Sequence, residues 1–544
     1  MKRLFPIMCT LLLLYCPFGF AAIVWDGTSK APWTKGSGTE SDPYLIETPE
    51  QLAFLSDKVS ASDDCLGIYF TQTNDFDMGG HTFVPIGVSS ANPFKGTYNG
   101  NNKSISNLML NGSKEHIALF GCIIGATISN LTIGGSFGST SSGMYVASIA
   151  GYGENTSLIN CKNTADINLQ GGTMAGIIAY IRGICTLSNC SNTATIVMSG
   201  STNASPYVDG VGGIVGGNDG DCTLIGCSNM GSISSTSIVG GIIGYNTRNN
   251  TTCTLSNCLN SGAILSNNSS AGGLVGHNLG YNEYNTVTCV VTNCSNTGTI
   301  SSNGTYCYTG GIVGYNYHSR CTLTSCYNTG MVSAPSSTYA SGLVSSLYSV
   351  CKINNCYARC TVRGKCACGI TTEGNVTNSY FAGTLTGQDV YYIVGGTATN
   401  CYFNSDCGVS EKNGCTAVTT DQFKSTSMPL MLNASSIREK TWKMDMANSN
   451  DGYPILNWQI TYKIMGVCNA EQGSVCGSGN YAEGMVVALT ATPKDGYAFL
   501  GWSDGDKTNP RSVMVGTTDA TYTALFVKIR YIITINQDCS VNVQ

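Results

Sequence analysis

Between residues 66 and 420 the apolar positions fall in short runs of two or three, separated by Gly, Asn, Ser and Thr. The same run-and-gap pattern returns every roughly 27 to 38 residues. Each unit opens on a Gly-Gly-Ile-Val-Gly-Tyr-Asn stretch. Its clearest copies stand at Gly213-Ile214-Val215-Gly216, Gly241-Ile242-Ile243-Gly244, Gly273-Leu274-Val275-Gly276 and Gly311-Ile312-Val313-Gly314, with weaker ones at Ser148, Gly176, Gly342 and Gly369. A Cys-Thr-Leu-x-x-Cys-x-Asn-Thr-Gly stretch follows, and then an Ile or Val pair such as Ile196-Val197. Short apolar runs bounded by turn formers predict strands joined by tight turns. Three strands per unit, in units too small to bury a core alone, predict an all-β parallel β-helix, a solenoid whose coils bury their apolar faces against one another. Roughly eleven coils at about 4.8 Å each make a rod near 50 Å long.

The ends of such a stack need covering, and the flanking segments fit that need. Residues 22–65 are predicted as an N-terminal cap with one short helix: Thr48 as N-cap, Pro49 at the first helical position and Gln51 closing a capping box, with Leu52, Leu55 and Val59 on one face. Residues 66–420 form the solenoid. Residues 421–459, with Trp442, Tyr453-Pro454 and Trp458, break the repeat and are predicted as the exit cap. From 460 to 528 lies a separate small β-rich module, marked by the run Met485 to Leu489, turns at Gly496 and Gly505, and a core around Phe499 and Trp502. Residues 529–544 read as the start of a second copy, cut short.

Composition narrows the setting. Charged residues are 11% of the 544 and the net charge is −5, which argues against a nucleic acid or an anionic membrane surface as partner. Residues 1–21 carry Lys2 and Arg3, an apolar run through Leu11 to Leu14, and Gly19-Phe20-Ala21, the pattern of a secretory signal cleaved after Ala21. Cys16 raises a lipid-anchored alternative, although Tyr15 before it is bulky for that processing site. No later apolar run is long enough for a transmembrane helix. The expected product is secreted or surface-exposed, monomeric and free of cofactors.

Export permits disulfides, and the chain holds 27 cysteines. Six pairs share one spacing: Cys185/Cys190, Cys222/Cys227, Cys253/Cys258, Cys289/Cys294, Cys321/Cys326 and Cys351/Cys356. Residues five apart on one extended strand point to opposite faces, so a pair is not expected to bridge itself. Stacking leaves three states open for these columns: buried free thiols, disulfides between coils, or a metal site. The cluster Cys356, Cys360, Cys366 and Cys368 lacks the paired spacing of a zinc site, and Cys468 and Cys476 flank what reads as a hairpin turn.

Asn163, Asn192, Asn229, Asn260, Asn296 and Asn328 each stand two residues after the second Cys. They predict a structural ladder of stacked amides, placed at a corner that Asn tolerates in the left-handed conformation. Tyr152, Tyr180, Tyr245 and Tyr315 form a partial aromatic column, interrupted by Gly217 and His277. Facing outward it would offer rings to a sugar or peptide; facing inward it would be structural. Catalytic signatures are missing: His81, His116, His277 and His318 make no His-Glu-x-x-His helix, and Asp209, Asp219, Asp221, Asp75 and Asp77 are expected in solvated turns. No metal site is expected either.

The Gly-Gly-Ile-Val-Gly core resembles the GLUG motif of secreted bacterial surface proteins, many from Bacteroidota. The opening Gly38-Thr39-Glu40-Ser41-Asp42-Pro43-Tyr44-Leu45-Ile46 and the closing Gly452-Tyr453-Pro454-Ile455-Leu456-Asn457-Trp458 resemble the flanks of such proteins. Gly473-Ser474-Val475, Leu489-Thr490-Ala491-Thr492-Pro493 and Gly501-Trp502-Ser503-Asp504-Gly505 resemble a divergent internalin-B-type repeat, which implies a small β-grasp-like fold. The resemblance implies a non-catalytic adhesin or binding protein with a host or environmental glycan or protein as partner. Two alternatives stay open: a glycan-degrading β-helix enzyme, which needs two or three carboxylates with Arg or Lys on one solvent-facing sheet, and a structural stalk.

Overall fold

The computed structural model describes residues 22–543, apart from 111–114, 140–142, 202–208, 248–249, 281–286, 306, 348–349, 391–392, 409–413, 435–440, 483–485, 517, 530–532 and 536–540. The expected signal at 1–21 lies outside them. Among the described residues the chain winds into a parallel β-helix built on a sheet of 32 strands and a second of 15. Each predicted stretch is present. The Gly-Gly stretch, however, is bent at its second glycine into two strands, as in Ile238–Gly240 and Ile243–Asn246, and the Asn two after the second Cys lies in a two-residue strand of its own, as in Leu259–Asn260. A coil therefore carries five short strands.

The two halves of the repeat meet inside the rod. A Cβ on Gly213, Gly241, Gly273 or Gly311 would lie 2.6, 2.5, 2.7 or 2.5 Å from the amide carbon of Asn229, Asn260, Asn296 or Asn328. Only glycine leaves room there for the stacked Asn side chain, which is why the Gly-Gly corner and the Cys-x-Asn stretch recur together. The six Asn residues are fully buried. The Nδ2 of each of the first five donates to the next coil's Oδ1, from Asn163 to Asn192 at 2.8 Å through Asn296 to Asn328 at 2.7 Å, and all six also donate to the carbonyl two residues on. The ladder stops at Asn328 because Ala358 faces it in the next coil.

The conformation expected of these residues belongs to another column. The left-handed residues are Asn160, Asn189, Gly226, Asn257, Asn293, Ser325 and Asn355, each immediately before the second Cys. This turn also corrects the cysteine geometry. Because the chain kinks at residue 189, both Cys185 and Cys190 point inward, at 1% and 0% exposure, and the other pairs follow.

The structure also revises the caps. Thr48 makes no side-chain cap bond to the helix Pro49–Ser60; Gln51 accepts instead from the Glu47 N–H at 2.6 Å. Strands Ile23–Val24 and Tyr44–Ile46 pair with Phe76–Asp77 and Tyr69–Gln72, so the segment expected to be only a cap supplies the first rungs of the stack. Leu52, Leu55 and Val59 complete its core at 0% exposure. At the other end, the described residues of 421–459 cover a side of the last coils. There Tyr327, Tyr357 and Tyr380 stack with rings 5.0 and 4.9 Å apart and tilted by only 4° and 3°. Such a wall of rings would stand exposed, and Trp442, Phe423 and Leu456 pack over it. Trp458 Nε1 donates back to the Ser325 carbonyl at 2.8 Å, and Arg359 pairs with Asp451 at 2.6 Å.

The C-terminal module has a core of its own around Ile464, Leu489 and Trp502. Its first and last strands, Thr461–Val467 and Ala520–Lys528, pair parallel within a four-stranded sheet, and a three-stranded sheet completes it. Strand Gly473–Cys476 pairs with Val486–Pro493 and not with the strand ending at Val467, so Cys468 and Cys476 do not close a hairpin. Strands Ile533–Ile535 and Val541–Val543 pair antiparallel in a separate two-stranded sheet.

Candidate functional site

The outward face of the strip that begins at the Gly-Gly corner carries the chemistry. Strands Ala150–Glu154, Ile178–Ser188 and Val215–Ile225 stack in register, pairing Tyr152 with Tyr180 and Gly217, and Glu154 with Arg182 and Asp219. Side chains two apart on a strand share a face. Three consecutive coils thus present a row of Tyr, Tyr and Gly beside a row of Glu, Arg and Asp. One step further, Ile184 pairs with Asp221, and the Ile184 side chain is 71% exposed. Asp219 and Asp221 lie in a strand, and Asp209 is buried at 1% exposure, so none of the three is a solvated turn residue. Asp75 and Asp77 do sit near a turn, but they tie coils together: Asp75 accepts from the Ser104 N–H at 2.7 Å and Asp77 from Asn107 at 2.8 Å.

The rows are knitted to each other. Tyr152 Oη donates to Glu154 at 2.8 Å, Arg182 donates to the Tyr152 hydroxyl, and Tyr180 bonds Asp219. Burial holds the phenols of Tyr152 and Tyr180 well above their ordinary range, so both remain donors at neutral pH. Glu154, Arg182, Asp219 and Asp221 line a surface cavity of about 300 Å³.

Tyr145 and His116, from the neighbouring strip, complete an aromatic cluster. Tyr145 stands 4.9 Å from Tyr180, and His116 stacks on Tyr145 at 5.7 Å. Tyr245 joins from behind. Its ring leans over Gly217 and Gly210, where any Cβ would collide with it, and its hydroxyl meets Thr173 at 3.2 Å. At 3% exposure Tyr245 is a floor for the cluster and not an exposed ring. The aromatic column inferred from sequence is therefore divided. Tyr152, Tyr180 and Tyr245 converge at this site, whereas Tyr315 belongs to a second cluster with Tyr308 at 4.0 Å and Tyr317 at 5.4 Å.

Two further features escaped the sequence. A second amide ladder runs from Asn218 through Asn246 and Asn278 to Asn316, with links of 2.6, 2.8 and 2.8 Å. Its signal was the Asn that closes the Gly-Ile-Val-Gly-Tyr-Asn stretch. The charged row left no sequence signal, because its members are 28 and 37 residues apart and only the coil lengths bring them into register.

The column cysteines point inward. Cys190, Cys227, Cys258, Cys294, Cys326 and Cys356 are buried free thiols, as are their partners five residues earlier. Cys222 Sγ lies 2.7 Å from Cys253 Sγ. Burial pushes the Cys185 thiol up to about 11 and the Cys360 thiol up to about 12. Cys360 also accepts from Asn328 at 3.3 Å. Among the described residues no three His, Cys, Asp or Glu side chains are grouped to hold a metal ion, and no helix is long and apolar enough to cross a membrane.

Two family models match the chain: the GLUG motif over residues 267–301 and the divergent InlB B-repeat domain over residues 462–530. The protein is thus a β-helical repeat protein followed by a separate β-rich module. In particular it carries a GLUG motif within the solenoid and a divergent InlB B-repeat domain after it. Among curated proteins it is similar to "Halomucin" of Haloquadratum walsbyi, at 29% identity over 126 residues, 20% of this chain and 1% of that one. It is also similar to a "Putative Gly-rich membrane protein" of Evansella cellulosilytica, at 33% identity over 111 residues, 19% of this chain. The chain thus spans 1% and 12% of the lengths of these relatives. Among solved structures it is similar to one described as "a putative immunoglobulin A1 protease" from Bacteroides ovatus, at 16% identity and a TM-score of 0.38, covering 78% of this chain and 95% of that one.

Proposed function

We propose that this chain is an exported, non-catalytic binding protein that holds an extracellular glycan or protein ligand against the outward strip of its rod. The observation that carries the reading is the convergence of Tyr145, Tyr152 and Tyr180 beside Glu154, Arg182 and Asp219 on one outward face. Rigid aromatic rings edged by polar groups are what recognition surfaces use, since a ring contributes contact area at little entropic cost. The second cluster, around Tyr308 and Tyr315, stands four coil steps from Tyr180, roughly 19 Å along the rod, and offers a second point of attachment to a long ligand. The GLUG motif and the InlB-type module support a setting at the cell surface.

A glycan-degrading enzyme is the second reading, favoured by one observation: two carboxylates and a cation share a solvent-facing sheet. Glu154 and Asp219 lie two coil steps apart, roughly 10 Å between backbones, near the separation of an inverting hydrolase. The interval between them, however, is held by Arg182, where such an enzyme needs room for a water and the scissile bond. Binding without turnover fits this arrangement better. The test is retention of the protein on immobilised glycans, mucin and matrix proteins, followed by assay of each support for released fragments. Retention with the ligand intact supports the proposal, and release of fragments refutes its non-catalytic part.

A further inference from the structure

Glu154, Arg182 and Asp219 are confined to three consecutive coils. The same outward position is Ile124 in the coil before them and Leu279 and Tyr317 further along the rod. The fold therefore tolerates apolar residues there, and neither packing nor the turn chemistry of the coil calls for charge. Charges meant only to keep the rod soluble would be spread along it, yet this chain has few to spend, at 11%. The row adjoins the ring cluster of Tyr145, Tyr152 and Tyr180 and lines a cavity of about 300 Å³.

The order of the row selects a ligand chemistry. Acceptor, donor and acceptor follow one another at one coil step, about 4.8 Å. An anionic ligand would meet Arg182 flanked by two carboxylates, and a cationic one would meet the guanidinium between its two partners. An apolar peptide would leave all three groups desolvated without compensation. Hydroxyl groups are donor and acceptor at once. A run of them along a polymer satisfies Glu154 and Asp219 by donating and Arg182 by accepting. The C–H faces of the same polymer would lie on the Tyr152 and Tyr180 rings and on the exposed Ile184.

Resting on the binding function proposed above, we infer that Glu154, Arg182 and Asp219, with Tyr152 and Tyr180, form a subsite for an uncharged, hydroxyl-rich glycan chain.

The experiment is titration of the full chain with soluble neutral polysaccharides (a mannan, a β-glucan, a galactan and a xylan) and with anionic ones (a polyuronate and a sulfated glycan), by calorimetry and affinity electrophoresis. Arg182→Gln and Asp219→Asn are compared with Lys352→Gln, an exposed change five coil steps along the rod from the strand of Arg182. Thermal unfolding of each variant provides the folding control, and two independent substitutions guard against one that disturbs the coil. The expected result is binding of at least one neutral polymer, weakened about tenfold or more by either site variant and unchanged by Lys352→Gln. Neutral-glycan binding that both site variants leave intact overturns the assignment of the site. Binding only to anionic glycans or only to proteins overturns the ligand class while leaving the binding function standing. Binding to none of the glycans and none of the proteins overturns both.

Discussion

Replacing Asn260 by Ala probes the amide ladder where it is fully engaged. Asn260 accepts from Asn229 at 2.7 Å, donates to Asn296 at 2.7 Å and donates to the Gly262 carbonyl at 2.9 Å. Truncation removes all three bonds, each contributing about 1 kcal/mol net, and leaves an Asn229 N–H and the Asn296 Oδ1 buried without those partners. An abandoned buried group costs about 1–3 kcal/mol, less whatever the coil recovers by relaxing, so the expected loss is about 4 kcal/mol. Urea unfolding followed by far-UV circular dichroism measures it against Asn268→Ala, an exposed change one turn away that is expected to stay within about 0.5 kcal/mol of the parent. Asn296→Ala alone should cost a similar amount. Because the two residues share one bond, the double variant should lose less than the sum, with a coupling of about 1–2 kcal/mol. A loss under about 1 kcal/mol for Asn260→Ala, or strict additivity in the cycle, would refute the claim that stacked amides hold neighbouring coils together.

Three other outcomes follow from the same geometry. Asn257 has φ of 54°, so Asn257→Val is expected to lower stability by about 1–2 kcal/mol while Asn257→Gly stays near neutral; equal melting temperatures for the two would contradict a left-handed requirement before the second Cys. Burial holds the His277 imidazole down to about 3, and among the described residues neither ring nitrogen has a hydrogen-bond partner. An unfolded His titrates near 6.5, so between these values the unfolded chain binds the extra proton and stability drains away on acidification, by up to about 1.4 kcal/mol per pH unit. Unfolding free energies measured from pH 7 to pH 4 should show a shallower slope for His277→Phe, and an unchanged slope would disprove the assignment. Cys476 is exposed while the column thiols are buried, so alkylation of the native protein should modify Cys476 first and the columns only after unfolding. Mass spectrometry of unreduced protein settles the same point: a loss of two hydrogens per column pair would mean that neighbouring coils are bridged by disulfides.

What was legible in the sequence was whatever repeats. Gly241 and Asn260 recur in fixed relation because one leaves the space that the other fills, and that physical coupling writes a period into the chain. The helix Pro49–Ser60 was legible for a different reason, the apolar spacing of Leu52, Leu55 and Val59. The fate of individual outward residues was not legible. Tyr152, Tyr180 and Tyr245 look equivalent in the repeat, yet Tyr245 is drawn inward because Gly210 and Gly217 leave a hollow beside it. Glu154, Arg182 and Asp219 come together only because their coils are 28 and 37 residues long, and coil length is set by surface loops that carry no pattern. The left-handed turn before each second Cys was placed three residues too late, since Asn occurs at both positions and composition alone does not separate them.

This division follows from in-register stacking itself. An inward column is contacted from above and below by its own kind, so an isolated substitution leaves two neighbours mismatched, and Asn, Cys and Leu persist coil after coil. An outward position carries no such debt. It can differ in every coil at little cost to stability, which makes the outer strip the one part of the rod where chemistry can accumulate without disturbing the core. A site on a solenoid should then appear as an interruption of the outward pattern across adjacent coils, at positions where the inward columns run on unbroken. Asn218 makes its inward ladder bond to Asn246 one residue before Asp219 joins the outward row, and the two roles coexist on one strand because they face opposite sides of it.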